Sequence, residues 1–153
     1  MLITDIIDNL VSLCNLDNDA IKSYDIALKK ITEQDIHETI KTFRDDHVRH
    51  VDSLTRIITG LGGSHPPPLG GDIRGLFLSS ATLLQSSIGS EGALRGLQGG
   101  EKVTNRSYED AVAQNFPPDI LSVLSRNYQD EKVHLDKITE MINSRAWEHR
   151  QAA

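Results

Sequence analysis

Apolar side chains recur every three or four residues along two stretches in the first half of the chain. This is the spacing of an amphipathic helix whose apolar face packs against neighbouring helices. The first stretch covers residues 4–31 and the second covers residues 36–61. Gly62-Gly63 follows the second stretch, as expected where a helix ends. The pattern therefore predicts a helical hairpin over residues 4–62.

The second half of the chain repeats this plan after a long connection. Residues 63–88 contain the run SHPPPLGGD, in which a helix cannot continue, followed by a predicted short helix. A second hairpin is predicted over residues 89–145, and a polar tail follows over 146–153. Short turns within hairpins and a long connection between them are typical of a four-helix bundle with one crossover, here between helices two and three. We therefore predict one all-α domain over residues 1–153.

The two predicted hairpins are related in sequence. At an offset of 84 residues, the chain shows twelve identities over the 49 positions from Leu10 to Ile58. Ordinary composition would give about three. The polar identities include Tyr24 with Tyr108, Asp46 with Asp130, and His50 with His134. This repeat predicts two equivalent hairpins that bring similar side chains to the same level of the bundle.

Polar residues occupy positions in the apolar stripes where a helical bundle would place its core. They are Asp17, His47 and His50 in the first hairpin, and Glu101, Glu131 and His134 in the second. Burying these charges without compensation would cost several kcal/mol per charge. A divalent cation between the four helices would compensate them, and so would a metal-free network in which the acids pair with protonated histidines. The repeat favours the metal site.

Composition narrows the class of protein. Of 153 residues, 38% are hydrophobic and only 5% aromatic, a mixture that suits a helical protein, and the single cysteine excludes an intrachain disulfide. A net charge of −6 without a basic run argues against nucleic-acid binding. No apolar run approaches the ~18 residues of a membrane span. We expect a cytoplasmic protein without nucleic-acid or membrane partners.

The arrangement resembles the ferritin-like superfamily, which includes ferritins, bacterioferritins and rubrerythrins. Those proteins bind two metal ions, usually iron, through an acid from each of helices one and three and a Glu-x-x-His pair from each of helices two and four. Segments around Asp17–Tyr24, Asp46–His50 and Glu101–Tyr108 more closely resemble a bacterial ferritin-like family without an assigned function. The resemblance implies these metal ligands: Asp17, His47, His50, Glu101, Glu131 and His134. Tyr24 and Tyr108 lie two helical turns from the acids on the same faces, where they either hydrogen-bond the ligating carboxylates or are core tyrosines with satisfied hydroxyls.

The second helix departs from the family pattern, because His47 stands where those proteins have glutamate. A carboxylate can bridge two metal ions, whereas a neutral imidazole offers one lone pair to one ion. The replacement also lowers the number of anionic ligands from four to three. A single ion, a weaker second site, or zinc in place of iron therefore becomes an alternative. Asp46 competes with His47 as the ligand beside His50; otherwise Asp46 and its counterpart Asp130 are expected beside the ligands.

Three functions remain open from the sequence. The first is iron-dependent oxidation by dioxygen or peroxide at a di-metal or single-metal site. The second is metal buffering without turnover, with zinc or manganese as alternatives to iron, and the third is a metal-free structural or stress-related bundle. Whether the protein is an enzyme stays open, and no catalytic residue is assigned. The ferritin-like resemblance also implies a homodimer.

Overall fold

A computed structural model describes residues 1–64, 84 and 86–149, and these form four long α-helices. The helices are α1 (Ile3–Leu28), α2 (Gln34–Gly60), α3 (Gly89–Val112) and α4 (Pro118–Asn143), followed by a short 3-10 helix at Ala146–Glu148. The prediction of an all-α chain is confirmed for this part of the protein. The short helix predicted before residue 88 falls largely outside the described residues.

The helix ends follow the turn chemistry of the sequence. Helix α1 ends at Leu28, three residues earlier than predicted, because the amides of Lys30 and Ile31 both bond back to the Ala27 carbonyl and tighten the chain into a turn. Helix α2 ends before Gly62, whose φ of +87° is the left-handed conformation that glycine adopts without strain. Helix α4 begins at Pro118. Proline has no amide proton, and this costs nothing here because the amide of a first helical residue has no hydrogen-bond partner within the helix.

Each long helix packs against two others, an arrangement that fits a four-helix bundle. Helix α1 packs on α2 and α3, while α4 packs on α3 and α2. Side-chain contacts give the relative directions of the helices. Residues 17 and 24 of α1 contact residues 108 and 101 of α3, so these two helices are antiparallel. Residues 46 and 50 of α2 contact 134 and 130 of α4, which makes that pair antiparallel as well.

The two larger apolar clusters of the core lie on either side of a polar layer, and Leu16 and Ala20 form a third, small cluster. One cluster lies toward the end of α1 and includes Ile40, Leu94 and Ile138. The other lies toward its beginning and includes Leu10, Leu54 and Leu124. The six ligands expected from the sequence lie between these clusters along the helices, so the polar layer sits at mid-height in the bundle.

Residues near the end of the long connection also contribute to the core. Leu84 is fully buried in the cluster toward the end of α1, where its side chain occupies the space that a Cβ atom at Gly96 of α3 would need. Trp147, beyond α4, packs against the same cluster. Within the described part of the chain, none of the helices has the length and apolar character needed to cross a membrane.

Candidate metal centre

All four helices contribute to the polar layer. Helix α1 supplies Asp17 and α3 supplies Glu101, while α2 and α4 each supply a pair of side chains three residues apart, which project from the same face of a helix. All six side chains are at most 2% exposed: Asp17, His47, His50, Glu101, Glu131 and His134. The structure therefore brings together all six residues that the sequence predicts as metal ligands.

The first half of the centre lies between α1, α2 and α4. The Nδ1 atom of His50 is 3.3 Å from Asp17 Oδ1 and 3.2 Å from Glu131 Oε1. The Nδ1 atom of His47 is 2.7 Å from the same Asp17 oxygen and 3.4 Å from Glu131 Oε1. One ligand atom from each of these four residues lies within 4.8 Å of the others, so the group could hold a metal ion.

The second half of the centre lies between α2, α3 and α4. The Nε2 atom of His47 is 3.1 Å from Glu101 Oε1, and the Nδ1 atom of His134 is 3.4 Å from that oxygen. Glu131 Oε2 lies 4.0 Å from His134 Nδ1. These four residues form a second group whose ligand atoms lie within 4.8 Å of one another. His47 and Glu131 belong to both groups.

Two tyrosines hold the carboxylates of α1 and α3. The hydroxyl of Tyr24 donates a hydrogen bond to Glu101 Oε1, and the hydroxyl of Tyr108 donates one of 2.6 Å to Asp17 Oδ2. These contacts agree with the first of the two alternatives that the sequence left open for the tyrosines. Hydrogen bonds of this kind orient ligating carboxylates around a metal ion.

Two aspartates hold the outer nitrogens of the paired histidines. The Nε2 atom of His134 lies 2.8 Å from Asp46 Oδ2, and the Nε2 atom of His50 lies 3.0 Å from Asp130 Oδ2. An acceptor behind a histidine fixes the ring and its tautomer, so that the other nitrogen faces the metal. Here the inner nitrogen is Nδ1 in both rings, and both Nδ1 atoms face the centre.

Asp46 is the competing ligand on α2, and its position differs from that of His47. Asp46 lies at the edge of the bundle with an 18% exposed side chain, where it contacts Arg49 and His134. His47 is fully buried and contacts the carboxylates of α1, α3 and α4. This geometry favours His47 as the ligand beside His50 and places Asp46 behind His134.

Three polar atoms in the centre have no hydrogen-bond partner among the described residues. They are both carboxylate oxygens of Glu131 and the Nδ1 atom of His134, and both residues are fully buried. His50 Nδ1 lies 3.2 Å from Glu131 Oε1, but this contact lacks hydrogen-bond geometry. Unpartnered buried polar atoms cost free energy, and a metal ion at this position would bind them. The residues present therefore fit a metal ion.

Opposite charges inside the layer shift the pKa values of its first half. Burial alone would raise the pKa of Asp17, but hydrogen bonds from His47 and His50 outweigh it and lower that pKa to about 2. Burial would lower the pKa of His50, but the neighbouring carboxylates of Asp17 and Glu131 raise it to about 10. Without metal, these histidines and carboxylates therefore pair as ions.

Glu131 differs from the other two carboxylates. Burial raises its pKa to about 7, and the nearby charges of Glu101 and Asp17 add to the rise, although His47 opposes it. Glu101 is also buried, yet the nearby imidazole rings of His134 and His47 hold its pKa well below the ordinary value. The metal-free layer thus has one carboxylate that is only weakly held in its charged form.

Several residues of the centre have no role assigned from the sequence. Thr104 donates hydrogen bonds to the carbonyl and to Oε2 of Glu101, and Asn127 donates one to the hydroxyl of Tyr108. Arg49 contacts Asp46 and lies 3.6 Å from Asp130. Thr104 and Asn127 lie among the apolar positions that predict the inner faces of α3 and α4. A polar residue at such a position is the sequence signal that could have indicated a role in the centre. Exposed Arg49 gave no such signal.

No protein-family model matches this chain, and no curated protein matches it either. Membership of the ferritin-like superfamily therefore stays a prediction. The candidate metal centre rests on its side-chain geometry.

Proposed function

We propose that this protein binds divalent metal ions in the buried centre between its four helices. The observation that carries the proposal is the set of unpartnered atoms of Glu131 and His134, which face the other ligands in a fully buried layer of the described structure. A bound cation would offset both the missing contacts and the mutual repulsion of the carboxylates. Its binding free energy would then add to the stability of the fold.

The spacing of the ligand atoms supports this proposal. Two ligands that each lie about 2.1 Å from one ion, at tetrahedral or right angles, are about 3.0–3.4 Å apart. The distances from His50 Nδ1 to Asp17 and Glu131 are 3.3 and 3.2 Å, and the distance from His134 Nδ1 to Glu101 is 3.4 Å. These distances suit ligands around a cation. They are longer than a strong charge-assisted hydrogen bond, whereas the 2.7 Å contact of His47 Nδ1 with Asp17 Oδ1 has the length of one.

We propose that the centre binds two metal ions rather than one. The ligand atoms form two groups of four that share His47 and Glu131, so each group supplies enough ligands for an ion. Three carboxylates and three imidazoles form a mixed oxygen and nitrogen set, which suits iron, zinc or manganese. Iron is the metal that the ferritin-like resemblance implies. The low number of anionic ligands favours the divalent over the trivalent state.

We also infer a ferritin-like topology. Helices α2 and α3 are both antiparallel to α1, because α1 and α2 form a hairpin and α1 contacts α3 in opposite register. Two parallel helices that follow each other in the chain need a connection along the length of the bundle. The long segment between Gly60 and Gly89 has the length for this crossover, in agreement with the sequence pattern.

With iron bound, the centre would supply oxidation of the metal by dioxygen or peroxide, which is what the resemblance implies. The chain's own contribution would be to fix the carboxylates through Tyr24 and Tyr108 and to exclude water. A second candidate is an ion held for stability without turnover. The almost complete burial of all six ligands favours this second candidate, because an oxidant must reach the metal.

The test is metal binding by the purified protein and by two variants of α4. Glu131→Gln removes the carboxylate that both groups share, while Glu140→Gln changes an exposed glutamate on the same helix. We expect the wild type and Glu140→Gln to bind two equivalents of Zn²⁺ or Fe²⁺ tightly. Glu131→Gln should bind with at least tenfold lower affinity. Failure of the wild type to bind either ion would overturn the proposal.

A second measurement separates the two candidate functions. Fe²⁺ is added to the metal-free protein in the presence of dioxygen or peroxide, and formation of Fe³⁺ is compared with that in protein-free buffer. Oxidation faster than in buffer and lost in Glu131→Gln would support the oxidase. Tight binding without faster oxidation would support an ion held for stability.

A further inference from the structure

His47 differs from the other two histidines of the centre in what lies behind its ring. His50 and His134 each direct one nitrogen to the centre and the other to an aspartate at the edge of the bundle. His47 has no such outer acceptor among the described residues. Its Nδ1 faces Asp17 and Glu131, and its Nε2 faces Glu101, so both nitrogens face ligating carboxylates.

The two nitrogens also belong to different halves of the centre. Nδ1 lies beside the oxygens of Asp17 and Glu131, which with His50 make up the first group. Nε2 lies beside Glu101, which with His134 belongs to the second group. The ring is held in this orientation by full burial, with the Tyr24 ring 5.2 Å away and the His134 ring 5.1 Å away, centroid to centroid.

We propose that the imidazole of His47 bridges two divalent cations, one bound at Nδ1 and one at Nε2. This inference rests on the proposed metal-binding function and specifies how the two ions share the centre. A ring that is paired as an ion carries a proton on each nitrogen, so the first cation must displace one proton to solvent and the second cation must displace the other. The ring then binds as an imidazolate anion, with a lone pair on each nitrogen.

Charge balance supports the bridge. Asp17, Glu101 and Glu131 bring three negative charges, which leaves two divalent cations with an excess of one positive charge in a buried layer. An imidazolate at position 47 supplies the fourth negative charge and makes the ligand set neutral with both ions. A buried excess charge is costly, so the second cation binds better when it displaces the ring proton. His47 thereby replaces the charge that a glutamate would have provided.

Glu131 is the counterpart of His47 in the sequence repeat and lies opposite it. Its two oxygens have no hydrogen-bond partner within the described chain, with Oε1 near His47 and His50 and Oε2 nearer His134. One oxygen can therefore serve each half of the centre. The two cations would be bridged on one side by a carboxylate and on the other by an imidazolate.

The direct test is NMR of the full chain loaded with the spin-active isotope of Cd²⁺ and carrying nitrogen-labelled histidine. Scalar coupling between cadmium and nitrogen identifies which ring nitrogens bind an ion. We expect two cadmium signals, with both nitrogens of His47 coupled, each to a different ion. His50 and His134 should each be coupled through Nδ1 alone.

The outcomes distinguish the bridge from the proposed function. Two bound cations with His47 coupled through one nitrogen, and an N–H on the other, would overturn the bridge while leaving metal binding intact. One bound cation would also overturn it. Protein that binds no Cd²⁺ would overturn both the proposed function and the bridge.

A matched pair of variants gives a second readout. His47→Gln removes the bridging ring, while His37→Gln changes a histidine near the start of the same helix, outside both ligand groups. We expect His37→Gln to bind two equivalents of Cd²⁺ like the wild type, and His47→Gln to bind one, with at least tenfold weaker affinity for the second. Unchanged binding of two ions by His47→Gln would overturn the bridge. Should that variant fail to fold, the NMR of the wild type decides.

Discussion

Tyr108 on α3 donates a 2.6 Å hydrogen bond to Asp17 on α1, and both groups are fully buried. The contact between Tyr24 and Glu101 is its counterpart under the 84-residue offset of the sequence repeat. The contacts from His134 to Asp46 and from His50 to Asp130 form a second pair related in this way. Residues related by the sequence repeat therefore make equivalent contacts. A substitution in one contact should have a similar effect to the same substitution in its counterpart.

The first prediction concerns Tyr108→Phe. Loss of the hydroxyl removes a hydrogen bond to the charged form of Asp17, so the pKa of Asp17 should rise and its orientation should loosen. We expect Zn²⁺ affinity to fall by about 10-fold, as for other residues that orient metal ligands. Isothermal titration calorimetry measures this affinity. Tyr128→Phe, whose hydroxyl belongs to a partly exposed ring near Lys132, should leave it unchanged.

The second prediction is that Glu131 contributes more to metal binding than Asp46. Glu131 lies in both ligand groups, whereas Asp46 acts on the centre through the His134 ring. Glu131→Ala should therefore weaken metal retention more than Asp46→Ala, which we expect to cost about 10- to 100-fold. Competition with a chelator, followed by metal analysis, measures the order. A larger loss in Asp46→Ala would show that the assignment of the α2 ligand is wrong.

The third prediction concerns the pH dependence of stability without metal. His50 has a pKa near 10 in the fold against an ordinary 6.5, so its stabilising contribution is complete below pH 6.5 and is lost as pH rises toward 10. Glu131, raised from 4.5 to about 7, adds a penalty that develops as pH rises between those values. Metal-free protein should therefore melt at progressively lower temperature as pH rises from 5 to 10.

The same linkage sets the acid side of the profile. The pKa of Asp17 falls from 3.8 to about 2, so its stabilising contribution is present above pH 3.8 and lost as pH falls toward 2. Thermal melts in the presence of a chelator measure both limbs. Glu131→Gln should remove the part of the fall in melting temperature that occurs as pH rises from 4.5 to 7. A melting temperature that rises with pH across this interval in the wild type would contradict the prediction.

The fourth prediction concerns the close contact between α3 and Leu84. A methyl group added at Gly96 would lie 2.6 Å from two side-chain carbons of Leu84, which is fully buried. Gly96→Ala should therefore destabilise the protein by about 1–3 kcal/mol through overpacking. Gly60→Ala is the matched control, because a methyl group there meets no described atom within 4 Å. Urea unfolding curves measure both, and equal stability of the two variants would contradict the role of Leu84.

Much of the fold and of the centre follows from the spacing of residues along the chain. Because residues three or four apart share a helix face, the stripes through His47, His50, Glu131 and His134 predict that both pairs point inward. The repeat predicts that the two halves lie at one level. The structure agrees on both points, and it places Asp17 and Glu101 against these pairs.

Other features depend on the packing of helices in three dimensions. Nothing in the spacing of α2 shows that both nitrogens of His47 face carboxylates, since this depends on how α1 and α3 approach the ring. The choice between Asp46 and His47 also depends on helix packing. Adjacent residues of a helix project in different directions, and only the packed bundle shows which of the two side chains faces the carboxylates of the other helices. Arg49 contacts Asp130 on the neighbouring helix α4, and no pattern within α2 indicates that contact.

The last prediction concerns His47→Glu, which makes α2 and α4 alike by pairing a glutamate with a histidine on both helices. Without metal, the variant has one more buried carboxylate and one fewer imidazole to pair with, so its melting temperature should fall. With two divalent cations, a fourth carboxylate supplies the negative charge that we assign to the imidazolate, so two equivalents of Mn²⁺ or Zn²⁺ should still bind. The metal-induced rise in melting temperature should therefore be larger than in the wild type. Differential scanning calorimetry with and without metal measures this rise. A His47→Glu variant that binds a single ion would show that charge at position 47 does not control the second site.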